Sequence, residues 1–164
     1  MTTSLVRTRY GTAEDLALVT ALHERCAPEA LRRRFHAPLP RVPDRLARRL
    51  LEPEMGWSLL AEHGDHVVGM ACAGPLSTSD LEVGILVEDA EQGRGIGARL
   101  LRDVATEAAR RGYRTLLCLT QPDNDAALAA VRRVGLPHTT TDEEGLMGIV
   151  MSLRTATEAL PLPA

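Results

Sequence analysis

The sequence holds no lysine: all 19 of its basic residues are arginine. A Schiff-base enzyme and a P-loop nucleotide binder are thereby excluded, since each needs a lysine amine at the reacting or phosphate-holding position. Nor has the chain any lysine side chain of its own to be acetylated or ubiquitinated. Aromatic residues are almost as scarce. Tyr10, Phe35, Trp57 and Tyr113 are the whole set, too few for the stacking platforms of single-strand nucleic-acid binders, so the core must be aliphatic. Cys26, Cys72 and Cys118 are odd in number, widely spaced and without a CxxC, which signals neither a disulfide framework nor a zinc site and fits a reducing interior. No run approaches 18 apolar residues, and the opening MTTSLVRTRYG lacks the apolar stretch of a signal peptide. The expectation is a cytoplasmic protein without membrane partners. Its 22 acids against 19 bases give a formal charge of -3, so no general basic field exists to hold nucleic acid either.

What is present fits one globular unit. The chain has 164 residues, 45% of them hydrophobic, enough for an ordinary core. We expect one domain over residues 1–154 and a flexible tail over 155–164. Residues 4–9 read as an opening strand ending at Gly11. Thr12 can cap a helix over 13–26, and Pro28 starts another at its favoured first-turn position. A short third helix spans 44–51, after a break at Pro38, Pro40 and Pro43. The period then changes: 57–63 and 66–74 form a hairpin around Gly64-Asp65, and 80–88 adds a third strand. Ile96, Leu100, Leu101, Val104, Ala105 and Ala108 recur at helical spacing up to Arg110-Arg111-Gly112. Residues 115–120 read as a strand buried on both faces, Asn124–Val134 as a helix closed by Gly135, and 145–153 as a final strand, with a further one around 138–141.

The sharpest motif is Gln92-Gly93-Arg94-Gly95-Ile96-Gly97 between a strand and a helix. Alternating glycines let the backbone approach an anion, and the free amides and dipole of a helix start favour a phosphate there. A ligand-free glycine turn is the plain alternative. A dinucleotide fingerprint, which Gly93, Gly95 and Ala98 satisfy, is the other; its place past mid-chain, with no acid about 20 residues on, argues against it.

With these elements in this order, the chain resembles the GNAT superfamily of acetyl-CoA-dependent N-acetyltransferases over about residues 4–153. The resemblance implies an α/β single-domain fold with a mixed central sheet of six to seven strands flanked by helices. It implies acetyl-CoA as co-substrate and no metal. The pyrophosphate would lie on Gln92, Gly93, Arg94, Gly95, Ile96, Gly97 and Ala98, the pantetheine arm beside Ile85, Leu86 and Val87, and Asn124 would belong to the same cofactor site. A bulge would splay the strand at 80–88 from that at 115–120, with the acetyl group in the gap.

The chain is similar, more narrowly, to bacterial protein-lysine acetyltransferases. Pro28-Glu29-Ala30-Leu31-Arg32-Arg33-Arg34-Phe35 resembles their "PES-L-RF" helix, and Leu81-Glu82-Val83 the strand that presents their glutamate base. The likeness implies Glu82 as catalytic base, direct transfer to a protein lysine, and an acceptor side lined by residues 29–35, where Arg32–Arg34 would meet acids flanking the target lysine. Two positions depart from the family pattern: Gly135 is followed by Leu136 in place of phenylalanine, and Val131 stands where many GNAT enzymes place a tyrosine acid.

On the residues alone, Glu82 is a carboxylate inside an apolar strand with Gly84 on the same face, leaving room beside it for an ammonium or a water. A salt bridge or a solvated position is equally open. Glu88 reads as an exposed loop carboxylate. Without lysine, every solvated basic position must be arginine, so the run Arg32–Arg34 is weighted toward a solvated face. Cys118, between Leu117 and Leu119, reads as a small core residue rather than a nucleophile. His23, His36, His63, His66 and His138 show neither metal spacing nor a triad signature. The expected function is therefore an N-acetyltransferase acting on a protein lysine, as a monomer or homodimer. The alternatives are an acetyltransferase of small amines and a non-catalytic acyl-CoA-binding module.

Overall fold

The computed structural model describes residues 5–153. In chain order the elements are β1 (Arg7–Tyr10), α1 (Leu16–Arg25), α2 (Pro28–Phe35), α3 (Asp44–Leu51), β2 (Trp57–His63), β3 (His66–Pro75), β4 (Asp80–Val87), α4 (Ile96–Arg110), β5 (Thr115–Thr120), α5 (Asp125–Val134), β6 (His138–Glu143) and β7 (Leu146–Ser152). The strands make one mixed sheet in the order β1-β2-β3-β4-β5-β7-β6. Every neighbouring pair is antiparallel except β4 and β5.

Alternation along β4 assigns the two faces. Leu81 and Val83 join Leu100, Leu101, Val104 and Ala108 of α4 in one core, together with Leu116, Ile149 and Met151. Leu86 points the other way, into a second core with Val19, Leu22, Leu31, Ala47 and Leu51 from α1, α2 and α3. Glu82 and Gly84 therefore share the face of α2, and the glycine-rich loop feeds the helix on the opposite face. The buried side chains of both cores include no aromatic ring but that of Trp57, with Tyr113 and Phe35 half-buried against them; burying a leucine of this kind contributes about 1.5–3 kcal/mol.

Several expectations need correction. The first strand runs from Arg7 to Tyr10 rather than over 4–9, and residue 4 lies outside the described residues. The helix expected over 13–26 is divided into a 3-10 turn, Ala13–Asp15, and α1. Arg9 grips both carboxylate oxygens of Asp15, at 2.8 and 2.7 Å, while Asp15 Oδ2 accepts the Thr12 N–H at 2.9 Å. Held that way, Asp15 stands at the position before α1, its carboxylate turned back to Arg9 and Thr12. β5 is not buried on both faces: Leu116 and Thr120 are buried, and Leu117, Cys118 and Leu119 are only half-buried. The tail 155–164 lies outside the described residues.

Candidate active site

The partial exposure of β5 has a cause in the register. β4 and β5 are paired only at Asp80↔Thr115, Leu81↔Leu116 and Glu82↔Leu117, although β4 continues to Val87 and β5 to Thr120. Beyond Glu82 the two strands separate and leave a cleft inside the sheet. The expected bulge does not produce it. β3 and β4 stay in unbroken register from Gly69↔Val87 to Pro75↔Leu81, and β5 follows β7 throughout from Thr115↔Ser152 to Thr120↔Met147. Each strand stays with its other neighbour, and the opening lies between two intact ladders.

At one end of this cleft stands the glycine-rich loop. Gly95 precedes α4 in the left-handed conformation, φ 83, which glycine adopts without strain. The turn aims the first amides of α4 outward, and Arg99 is the first of the helix to find a main-chain acceptor, Gly95 O at 3.0 Å. Gly97 leaves a true hollow: a Cβ there would meet only Val87 Cγ2, at 3.8 Å. Free amides around a space that a side chain would fill suit a pyrophosphate, and the 15-residue helix behind adds its dipole. Ile96 and Ala98 bury their side chains in the core and offer only their main chain. Gln92 donates to Val87 O at 3.1 Å and Arg94 pairs with Glu91 at 2.6 Å, so both side chains brace the loop.

The other expected cofactor residues divide similarly. Ile85 and Val87 are half-buried along the cleft, whereas Leu86 is buried in the core beneath α1 to α3, leaving only its main chain near a ligand. The Asn124 side chain donates to Thr120 Oγ1 at 2.7 Å and accepts the Ala127 N–H at 3.2 Å. It thereby ties the end of β5 to the start of α5. Arg133 of α5 places its guanidinium over Gly95, with Cζ and Nη1 each 3.2 Å from where a Cβ would stand. That second cation at the glycine-rich loop is not foreshadowed by local sequence, because it depends on α5 packing back against α4.

On the α2 face, Glu82 is exposed and is the last residue of β4 in register with β5. The arginine run above it is split. Arg32 and Arg33 both bind Glu29, at 2.8 and 3.1 Å, on the outer side of α2. Arg34 turns inward, lays its guanidinium over Gly84 and sits with Cζ 5.0 Å from the Phe35 ring centroid. His36 ends α2 in the left-handed conformation, φ 58, and its buried Nδ1 has no hydrogen-bond partner among the described residues. Burial, aided by the Arg34 charge, pulls the imidazole pKa down and keeps it neutral. Burial pushes the Cys118 thiol up to about 11, and that of Cys72 upward as well. Neither is a thiolate nucleophile at neutral pH. Glu88, expected in an exposed loop, is partly buried and pairs with Arg25 at 3.0 Å. No group of His, Cys, Asp and Glu among the described residues could hold a metal.

Residues 18–136 match the acetyltransferase (GNAT) family. The chain belongs to this family. As a GNAT protein it is an acetyl-CoA-dependent N-acetyltransferase. Its fold is shared with the GNAT domain of S. lividans PAT, at TM-score 0.81 and 24% identity over 90% of each chain. It is shared also with yncA from Salmonella typhimurium, solved with its cofactor acetyl-CoA, at TM-score 0.69 and 23% identity over 97% of this chain and 99% of that one. The ribosomal-protein-S18-alanine N-acetyltransferase from Escherichia coli gives 0.68 and 18% over 96% and 100%. No helix among the described residues of this GNAT protein is long and apolar enough to cross a membrane.

Proposed function

We propose that this protein acetylates a protein lysine by direct transfer, with Glu82 as the general base. The observation that carries the reading is the place of Glu82: an exposed carboxylate at the point where β4 leaves β5. Bound acetyl-CoA supplies the activated acetyl thioester, held by the amides of residues 93–98 with its arm along Ile85 and Val87. An acceptor ammonium with pKa near 10.4 is almost wholly protonated at neutral pH and must lose a proton before its nitrogen can attack. Glu82 receives that proton, directly or through one water, on the face that α2 and the loop after it border. The raised thiols of Cys72 and Cys118 argue against an acetyl-cysteine relay. The likeness of residues 28–35 and 81–83 to the motifs of protein-lysine acetyltransferases supports a protein acceptor.

Radiolabelled acetyl-CoA incubated with a cell lysate should place label in protein bands. Glu82→Gln, which keeps the shape and removes the basicity, should lower kcat by about 10²–10⁴-fold with acetyl-CoA affinity retained. Label confined to small amines would transfer the reading to a small-molecule acceptor; a variant with near-full kcat across the pH range would remove Glu82 from the role.

A further inference from the structure

Arg34 is a half-buried cation of the α2 face that no carboxylate pairs with among the described residues. Its neighbours Arg32 and Arg33 are tied to Glu29, but among the described residues no carboxylate comes within 4.0 Å of the Arg34 guanidinium. The groups against it are Phe35, Gly84, Cys72, Cys118, His23 and His36, and the Glu82 carboxylate, which faces His36 and Cys118 as Arg34 does, lies beyond 4.0 Å. The two thiols are protonated, and both histidine pKa values are pulled down, so none of the groups against it supplies a negative charge. A half-buried guanidinium costs desolvation that an anion would offset.

The anion is not a coenzyme phosphate held at the loop. The phosphate loop leads into α4, and α4 packs on the face that Leu81 and Val83 occupy, whereas Arg34 lies with Gly84 and Glu82 on the face of α2. On that face, Glu82 and Gly84 stand about 7 Å apart along one strand. The strand thus presents a carboxylate and, one pleat further, a cation. An acceptor complementary to this pair carries an amine for Glu82 and a carboxylate for Arg34.

We propose that Arg34 selects acceptors bearing a carboxylate close to the amine that is acetylated. The inference deepens the proposed function by naming the acceptor's chemistry, and it rests on Glu82 marking the amine's position. The carboxylate can belong to an acidic side chain beside a target lysine or to a free amino acid. A guanidinium–carboxylate pair in this setting contributes about ten- to hundred-fold in kcat/KM.

The test compares the wild type with Arg34→Gln and Gly84→Ala. The second variant leaves every charge in place, yet its methyl would lie 2.6 and 2.7 Å from the two terminal guanidinium nitrogens and must push Arg34 aside. One arm uses lysine peptides flanked by glutamate or by glutamine; the other uses free amino acids and their amides. In the arm that holds the true acceptor, the kcat/KM ratio of carboxylate-bearing to neutral acceptor should fall about ten- to hundred-fold in both variants. A ratio unchanged in both arms, or an equal loss on neutral acceptors, overturns the proposal. Independently of turnover, the CoA-bound protein is titrated with glutarate and the Arg34 Nε resonance is followed by NMR. Saturation at millimolar glutarate, lost in Gly84→Ala, upholds the carboxylate site even if no acceptor of either arm is acetylated, which would strike only the protein-lysine and Glu82 assignments. Where no acceptor is acetylated and glutarate leaves the resonance unmoved, the Arg34 proposal is overturned as well.

Discussion

Gly95 and Gly97 lie two residues apart in one loop, yet a side chain would meet different obstacles at each. At Gly95 the positive φ strains any other residue, and a Cβ would press on Arg133. Gly97 has an ordinary φ, and a Cβ there meets only Val87 Cγ2 at 3.8 Å. Gly97→Val should therefore fold, since valine is no worse than glycine within a helix, and yet fill the space where a phosphate would approach the amides. We expect CoA binding weaker by about 1–3 kcal/mol, roughly five- to 150-fold in Kd, with the thermal midpoint nearly unchanged. Calorimetry on the folded variant checks it, and wild-type affinity would remove the loop from the site. At this scale the turn was legible, because alternating glycines before a helical repeat mark a sharp entry into a helix. Arg34 could also have been separated from its run. It follows Leu31 by three residues and Phe35 follows by four, so all three share the inner face of α2. The position of Arg133 depends on tertiary packing and left no such trace.

At the scale of the element, the division of the first helix shows how a single ion pair overrides a continuous apolar pattern. Leu16, Val19 and Leu22 keep helical spacing, but nothing in it reveals that Arg9, on the neighbouring strand, captures Asp15. The hydrogen bonds from Arg9 hold the Asp15 carboxyl down to about 2, from an ordinary 3.8. A carboxyl depressed in the folded state adds stability above its unfolded pKa, which is lost as the pH falls through the folded value. The contribution should be complete above about pH 4 and vanish toward pH 2. Asp15→Asn is accordingly expected to destabilise the protein by about 1–3 kcal/mol at pH 7, with the gap to wild type closing between pH 4 and 2. Thermal denaturation of both proteins across that range measures it, and a gap independent of pH would show that packing, not charge, holds the turn. The hairpin at Gly64-Asp65 and the α5 terminus at Gly135 were legible because turn and cap chemistry is local. β5 was misread as fully buried because its exposure depends on where β4 parts from it.

For the molecule as a whole, the mixed sheet flanked by helices that the resemblance implied is the one observed. Leu81 and Val83 against Leu86 show its two covered faces within a single strand. What the pattern could not supply is the strand order, which places β7 between β5 and β6, or the length over which β4 and β5 remain paired. Pairing length depends on how far two ladders can diverge while each keeps its outer partner, a property of the assembled sheet.

The cleft between β4 and β5 amounts to an edge in the middle of a sheet. Past Glu82, the main-chain groups of β4 that point away from β3 have no strand to bond, although protein surrounds them. Edge positions of this kind are commonly shielded from unwanted pairing by their neighbours, and here β3 and β7 keep their own ladders on either side of the gap. A ligand with amides of its own could complete the missing rungs. The protein would then be most uniformly protected against hydrogen exchange only when occupied: amides within 83–87 should exchange faster than those of β3 in the free protein and slow markedly on addition of CoA, as mass spectrometry of deuterated peptides can follow. Equal protection with and without CoA would mean that the seam is closed by the protein itself. Otherwise the substrate serves, for the duration of each turnover, as a structural part of the sheet that acts on it.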